Sequence, residues 1–80
     1  MDLIDDMLED FGLRQARVLV SGAVAIVDNV KKIIILSEEL ITVDYGKGNV
    51  TVHGNKMWME YISNGRMCIR GEISGIELSK

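Results

Sequence analysis

His53 and Cys68 are the two side chains of this 80-residue sequence best suited to soft-metal or nucleophilic chemistry, and each type occurs once. A zinc site needs three or four such ligands, and no CxxC pair or second histidine completes one, so no metal and no other cofactor is expected. His53 reads as a polar residue beside a turn and Cys68 as a small apolar filler. In the repeat register set out below, both fall in outward columns and are expected to approach one another on neighbouring strands. Glu38-Glu39 is the adjacent acid pair of the β-like region, but no nucleophile with a partner base or oxyanion loop accompanies it. Gly46-Lys47-Gly48 looks like a phosphate cradle, yet no helix follows to supply the N-terminal dipole, so it reads as a hairpin turn. The residues thus point away from an enzyme. Trp58, with Met57, Met59 and Tyr61, forms the one cluster of large side chains, and its outward part is a candidate hot spot for a partner.

The elements that must position these residues are of two kinds. Leu3, Ile4, Met7, Leu8 and Phe11 recur at spacings of three and four, with Asp2 as a cap, acids opposite and Gly12 as a stop; this predicts an acidic amphipathic helix over 1–12. From 13 to 80 the period is two, in runs rich in Val, Ile and Thr with no proline, which predicts a single β domain. Strands are expected near 16–21, 23–28, 32–37, 40–44, 49–53, 56–62, 66–70 and 73–78, with a tight hairpin at Ser63-Asn64-Gly65-Arg66.

An internal repeat organises these strands. Gly22, Glu38, Gly54 and Gly71 are 16, 16 and 17 residues apart. Apolar residues stand four before each (Val18, Ile34, Val50, Met67), two before (Val20, Leu36, Val52, Ile69) and five after (Val27, Val43, Met59, Ile76). The parity change across each Gly or Glu predicts a bend or bulge there that keeps one apolar face turned to a common interior. The expected fold is mainly β, with short antiparallel strands in a four-unit roll or sandwich, or else a short solenoid.

The first strands are apolar on both faces, through Leu19 in the first and the unbroken Ile33-Ile34-Ile35-Leu36 in the third. Two-sided apolar strands in so short a chain require cover from the helix or another chain, so a homo-oligomer is expected. Leu19, Ile33, Ile35, Trp58, Leu3, Met7 and Phe11 are the interface candidates. Of the twelve acids, five lie in the first ten residues, leaving 9 − 7 = +2 for the rest, too weak a field for nucleic-acid binding. No apolar run approaches a membrane span, and a lone cysteine suits a reducing compartment.

In the order of these strands and glycines the chain resembles the YabP/YqfC family of small sporulation proteins from endospore-forming bacteria. The resemblance covers about residues 14–78: Arg17-Val18-Leu19-Val20-Ser21-Gly22, Ile26-Val27-Asp28-Asn29-Val30-Lys31, Ile41-Thr42-Val43-Asp44, Val50-Thr51-Val52-His53-Gly54 with Met57-Trp58-Met59, and Met67 through Leu78. The acidic start is similar to the prefix of the YqfC branch. Family members often carry Asn-His-Lys-Gly where this chain has Asn29-Val30-Lys31-Lys32, so no histidine role is carried to that turn. The resemblance implies a non-enzymatic part in spore morphogenesis, in the cytoplasm or on the mother-cell side of the forespore surface, alongside a membrane-bound sporulation protein and without membrane insertion of its own. The competing expectation is a small-ligand or enzymatic site formed between subunits by Glu38, Glu39 and His53.

Overall fold

A computed structural model describes residues 17–79. The helix expected over 1–12, with Leu3, Met7 and Phe11, lies outside the described residues. Alternating apolar sequence forms six strands: β1 (Val18–Val20), β2 (Val24–Val27), β3 (Lys32–Leu36), β4 (Leu40–Asp44), β5 (Asn49–Ser63) and β6 (Arg66–Ser79). They make one sheet in the order β1-β2-β6-β5-β4-β3, and every pairing is antiparallel. The mainly β, antiparallel expectation therefore holds; the last four predicted strands run together as two long ones.

The repeat positions turn the chain in two different ways. At Gly54 and Gly71 the strand continues through register shifts. At Gly22 and Glu38 it reverses instead, closing the β1–β2 and β3–β4 hairpins, with Ser21 N donating to the Val24 carbonyl and Ser37 N to the Leu40 carbonyl. The uniform bend expected at all four sites is thus corrected. The cause is local: Ser21 and Ser37 stand just before the turn, and their hydroxyls accept from Ala23 N (3.3 Å) and Leu40 N (3.1 Å), offering the backbone a reversal in place of a ladder.

These hairpins dock on opposite ends of the β5–β6 ribbon. β2 pairs with β6 over Val24–Val27, and β4 pairs with β5 over Leu40–Asp44. The first half is therefore β1, β2, residues 66–70 and residues 58–63; the second is β3, β4, residues 49–53 and residues 75–79. A pseudo-twofold exchange relates them, and the backbone hydrogen bonds at the crease obey it. Gly54 N donates to Glu39 O and Gly71 N to Ala23 O, both at 3.2 Å; Met57 N donates to Glu38 O at 2.9 Å and Ile73 N to Gly22 O at 3.0 Å.

The crease is held by side-chain size. A β-carbon at Gly71 (φ +143°) would stand 2.7 Å from Met57 Cα, and one at Gly54 would fall on the Glu72 carbonyl and 2.7 Å from Met57 Sδ. Lys56, in the left-handed region at φ 54°, makes the bulge that turns Met57 into this gap, where it is buried. Asn64 and Gly65, at φ 53° and 79°, form the two-residue hairpin turn whose twist suits the flanking strands.

One core draws on both halves: Ala25, Val27, Met67 and Ile69 from the first, Ile41, Val43, Val50 and Val52 from the second. Each fully buried aliphatic side chain contributes about 1.5–3 kcal/mol. The exchange holds at the rims as well. Val20 and Leu36 are both 52% exposed, Leu19 and Ile35 41% and 40%, Ile62 and Leu78 42% and 39%. Ile34, Val20 and Leu36, expected in the common interior, are exposed because they sit on edge strands with no neighbour beyond, Ile34 at a register shift in β3.

Candidate interaction surface

Alternation along the strands sends the residues between the core positions outward, and register aligns them in rows. Across the first half one row reads Leu19, Ile26, Cys68, Tyr61. On one side of it lies a row of Val24, Arg70 and Trp58, and on the other Asp28 and Arg66. The corresponding row of the second half reads Ile35, Thr42, Thr51, Glu77. One outward face is an apolar stripe between charged flanks; its counterpart is polar.

The flanks of the stripe are ion-paired. Arg66 binds Asp28 with two prongs, Nε to Oδ1 at 2.7 Å and a terminal nitrogen to Oδ2 at 3.1 Å. Arg70 Nε donates to Glu60 Oε1 at 2.6 Å. The Cys68 thiol donates to the same Glu60 oxygen at 3.5 Å, and the residue is only 4% exposed although it faces outward. Burial, followed by donation to Glu60, raises the thiol above its ordinary range, which keeps it protonated and chemically quiet. The Arg70 hydrogen bond, aided by that thiol, lowers the Glu60 carboxyl against an opposing effect of desolvation. Arg66 and Arg70 are raised by their carboxylate partners. A shallow polar cleft of about 640 Å³, lined by Arg17, Asp28, Asn29, Tyr61, Asn64 and Arg66 among others, adjoins the stripe.

The polar face of the second half is tied internally. Thr42 and Thr51 share a 3.0 Å hydroxyl contact, and His53 Nε2 lies 3.0 Å from Glu77 Oε1. His53 and Cys68 therefore do not approach one another, contrary to expectation: His53 pairs with Leu40 and Gly75 in the second half, Cys68 with Ile26 and Tyr61 in the first. The repeat register gave their columns but not their halves. Glu38 and Glu39 form the exposed tip of the β3–β4 hairpin, where the Glu39 carbonyl accepts from Gly54 N, next in the chain to His53. Among the described residues no three His, Cys, Asp or Glu gather as a metal site. No helix among the described residues is long and apolar enough to cross a membrane.

Of the interface candidates within the described residues, Leu19, Ile35 and Trp58 (55%) are exposed, and Ile33 is half-buried against the core opposite Val43. Ile26, which the sequence does not single out, and Tyr61, expected only as a member of the Trp58 cluster, complete the stripe. Their signal is cross-strand register with Leu19 and Cys68, which appears only when β6 is placed between β2 and β5. Leu36 and Trp58 also line one notch, at the hairpin tip of the second half. Comparison with protein-family models, curated proteins and solved structures found no match.

Proposed function

We propose that this chain is a non-enzymatic protein-interaction module that self-associates and acts in spore morphogenesis. The observation that carries the reading is the β3 edge. Ile34, Ile35 and Leu36 are 48%, 40% and 52% exposed, on a strand at the end of the sheet order. An apolar edge strand presents unpaired backbone groups together with greasy side chains, a combination suited to strand addition by another chain. On this reading the bent sheet is an antiparallel roll with open edges, and the notch beside Leu36 and Trp58 receives side chains of the added strand. The sporulation setting and a membrane-bound protein partner rest on the resemblance of residues 14–78 to the YabP/YqfC family. The same resemblance supports a setting in the cytoplasm or at the mother-cell side of the forespore surface.

Sedimentation velocity across micromolar concentrations tests the self-association. The natural chain should sediment as a dimer or larger, and Ile35→Glu, which puts a charge on the edge, should sediment as a monomer with unchanged far-ultraviolet dichroism. A natural chain that stays monomeric throughout rejects the reading.

A further inference from the structure

The sheet ends in two edges, β1 and β3, and their flanking charges differ. Resting on the edge-pairing reading and naming its partner, we propose that β3 pairs antiparallel with β3 of a second copy about a twofold axis at Ile35. Lys31-Lys32 of each chain then lie beside Glu38-Glu39 of the other.

The backbone supplies the register. Ser37 N donates to the Leu40 carbonyl and Ile35 stands opposite Thr42, so ladder alternation turns the N–H and C=O of Leu36, between them, out to the open edge. Ile34 has no partner residue in β4. Centred on Ile35, Leu36 of one copy meets Ile34 of the other, and the two Ile35 residues face one another as a close pair, about 4.5 Å between Cα atoms. Leu36 shares its face with Ile41 of the core, so apolar packing continues across the junction. The pairing covers Ile34, Ile35 and Leu36, which are 48%, 40% and 52% exposed in one chain.

The charges fix both the partner and the direction. Lys31, Lys32, Glu38 and Glu39 are exposed, and none of them is ion-paired among the described residues. In the register about Ile35, residue 31 lies opposite 39 and residue 32 opposite 38, which sets lysine against glutamate at both ends. A slip of two residues moves these charges roughly 6.6 Å apart, and a parallel pairing sets like against like. β1 offers no such match: it ends at Ser21-Gly22-Ala23, which carry no charge to answer the lysines, and a β3-to-β1 junction repeats without closing. Lysines and a bulge blunt an edge against indiscriminate strands, and the glutamates of a second copy answer those lysines.

Disulfide trapping and charge exchange test the pairing. In the full chain carrying Cys68→Ala, Ile35→Cys should cross-link to a dimer under mild oxidation, because the substituted thiols face one another across the strands. An equimolar mixture with the corresponding Leu19→Cys chain should give no mixed disulfide. In the natural chain, Lys31→Glu with Lys32→Glu should raise the dimer dissociation constant roughly tenfold or more, and so should Glu38→Lys with Glu39→Lys. The chain with all four changes should return to within roughly threefold of the natural value, because the exchanged charges again meet their opposites. Retained β dichroism in each variant separates lost pairing from lost fold. A natural chain that sediments as a dimer yet gives no Ile35→Cys cross-link overturns the β3-to-β3 pairing and leaves edge association standing. A predominant mixed disulfide, or a chain with all four changes as weak as the two double variants, does the same. A natural chain that stays monomeric overturns the edge reading and this pairing with it.

Discussion

The two halves share a backbone plan and a core but not an outward surface. Leu19, Ile26, Cys68 and Tyr61 of one stand where the other has Ile35, Thr42, Thr51 and Glu77, while Val27 matches Val43 and Ile69 matches Val52 beneath them. The inner rows are fixed by the need to fill one core, which permits similar solutions in both halves. The outer rows are free of that need, so their difference reflects what each face meets. The second half closes with the Thr42–Thr51 hydroxyl contact and the exposed His53–Glu77 pair; the first presents the exposed Leu19 and Tyr61 between its ion pairs.

The comparison breaks most completely at the crease. Gly71→Val adds a β-carbon 2.7 Å from Met57 Cα at φ +143°, and should cost on the order of 3–5 kcal/mol, enough to remove the cooperative transition from a domain this small. Its repeat partner Gly22 has nothing within 4 Å, and Gly22→Val there should shift stability by less than about 1 kcal/mol. Urea titration of the two variants separates bend from hairpin tip; equal losses would mean that the four repeat positions are alike after all.

Next in size is the shared core. Ile41→Ala, which gives the second half the residue that Ala25 supplies in the first, should cost about 2–5 kcal/mol and lower the urea midpoint. A single unfolding transition by dichroism and by Trp58 fluorescence is expected, although Trp58 is in the other half, because β5 and β6 run through both.

Smaller effects sharpen the contrast between the faces. Ile26→Thr, giving the stripe the residue of its counterpart, should cost about 1 kcal/mol and speed Cys68 labelling several-fold, whereas Thr42→Val on the polar face should leave labelling unchanged. The smallest change is in titration. The folded Cys68 thiol is raised, so its thiolate absorbance near 240 nm should appear at higher pH than in the urea-unfolded chain. The sign for stability follows: the contribution of the neutral thiol is complete below the unfolded thiol range and is lost as pH rises through the folded value. Glu60 runs oppositely, present above the unfolded carboxylate range and lost as pH falls through its lowered folded value. Coincident thiolate titration in folded and unfolded chains would show that Cys68 is neither buried nor bonded to Glu60.

Much of this fold is legible in residue spacing. The runs of period two mark the strands to within two residues, and Asn64-Gly65 marks its hairpin. Gly54 and Gly71 mark the crease, because only a residue without a side chain fits against Met57. The reversal at Gly22 and Glu38 was hidden, since an apolar repeat has the same period whether the strand bends or folds back. Ser21 and Ser37 carried the missing signal, where His53 and Arg70 stand in the other two units. The apolar stripe was only half legible: Leu19 and Trp58 advertise themselves, but Ile26 and Tyr61 become its members through a pairing between β2 and β6 that no local pattern encodes.

The unequal chain separations of the two docked hairpins set an order of assembly. The second closes on β5 across 49 − 44 = 5 residues, the first on β6 across 67 − 27 = 40. Loop-closure entropy makes the longer route costlier by about 1.8 kcal/mol. During refolding the β3–β4 hairpin should therefore dock on β5 first and the β1–β2 hairpin on β6 last. A pulse-labelled amide at Ile26 would gain protection after one at Thr42, and the surface completed last is the one with the most to lose from meeting a neighbouring chain too early.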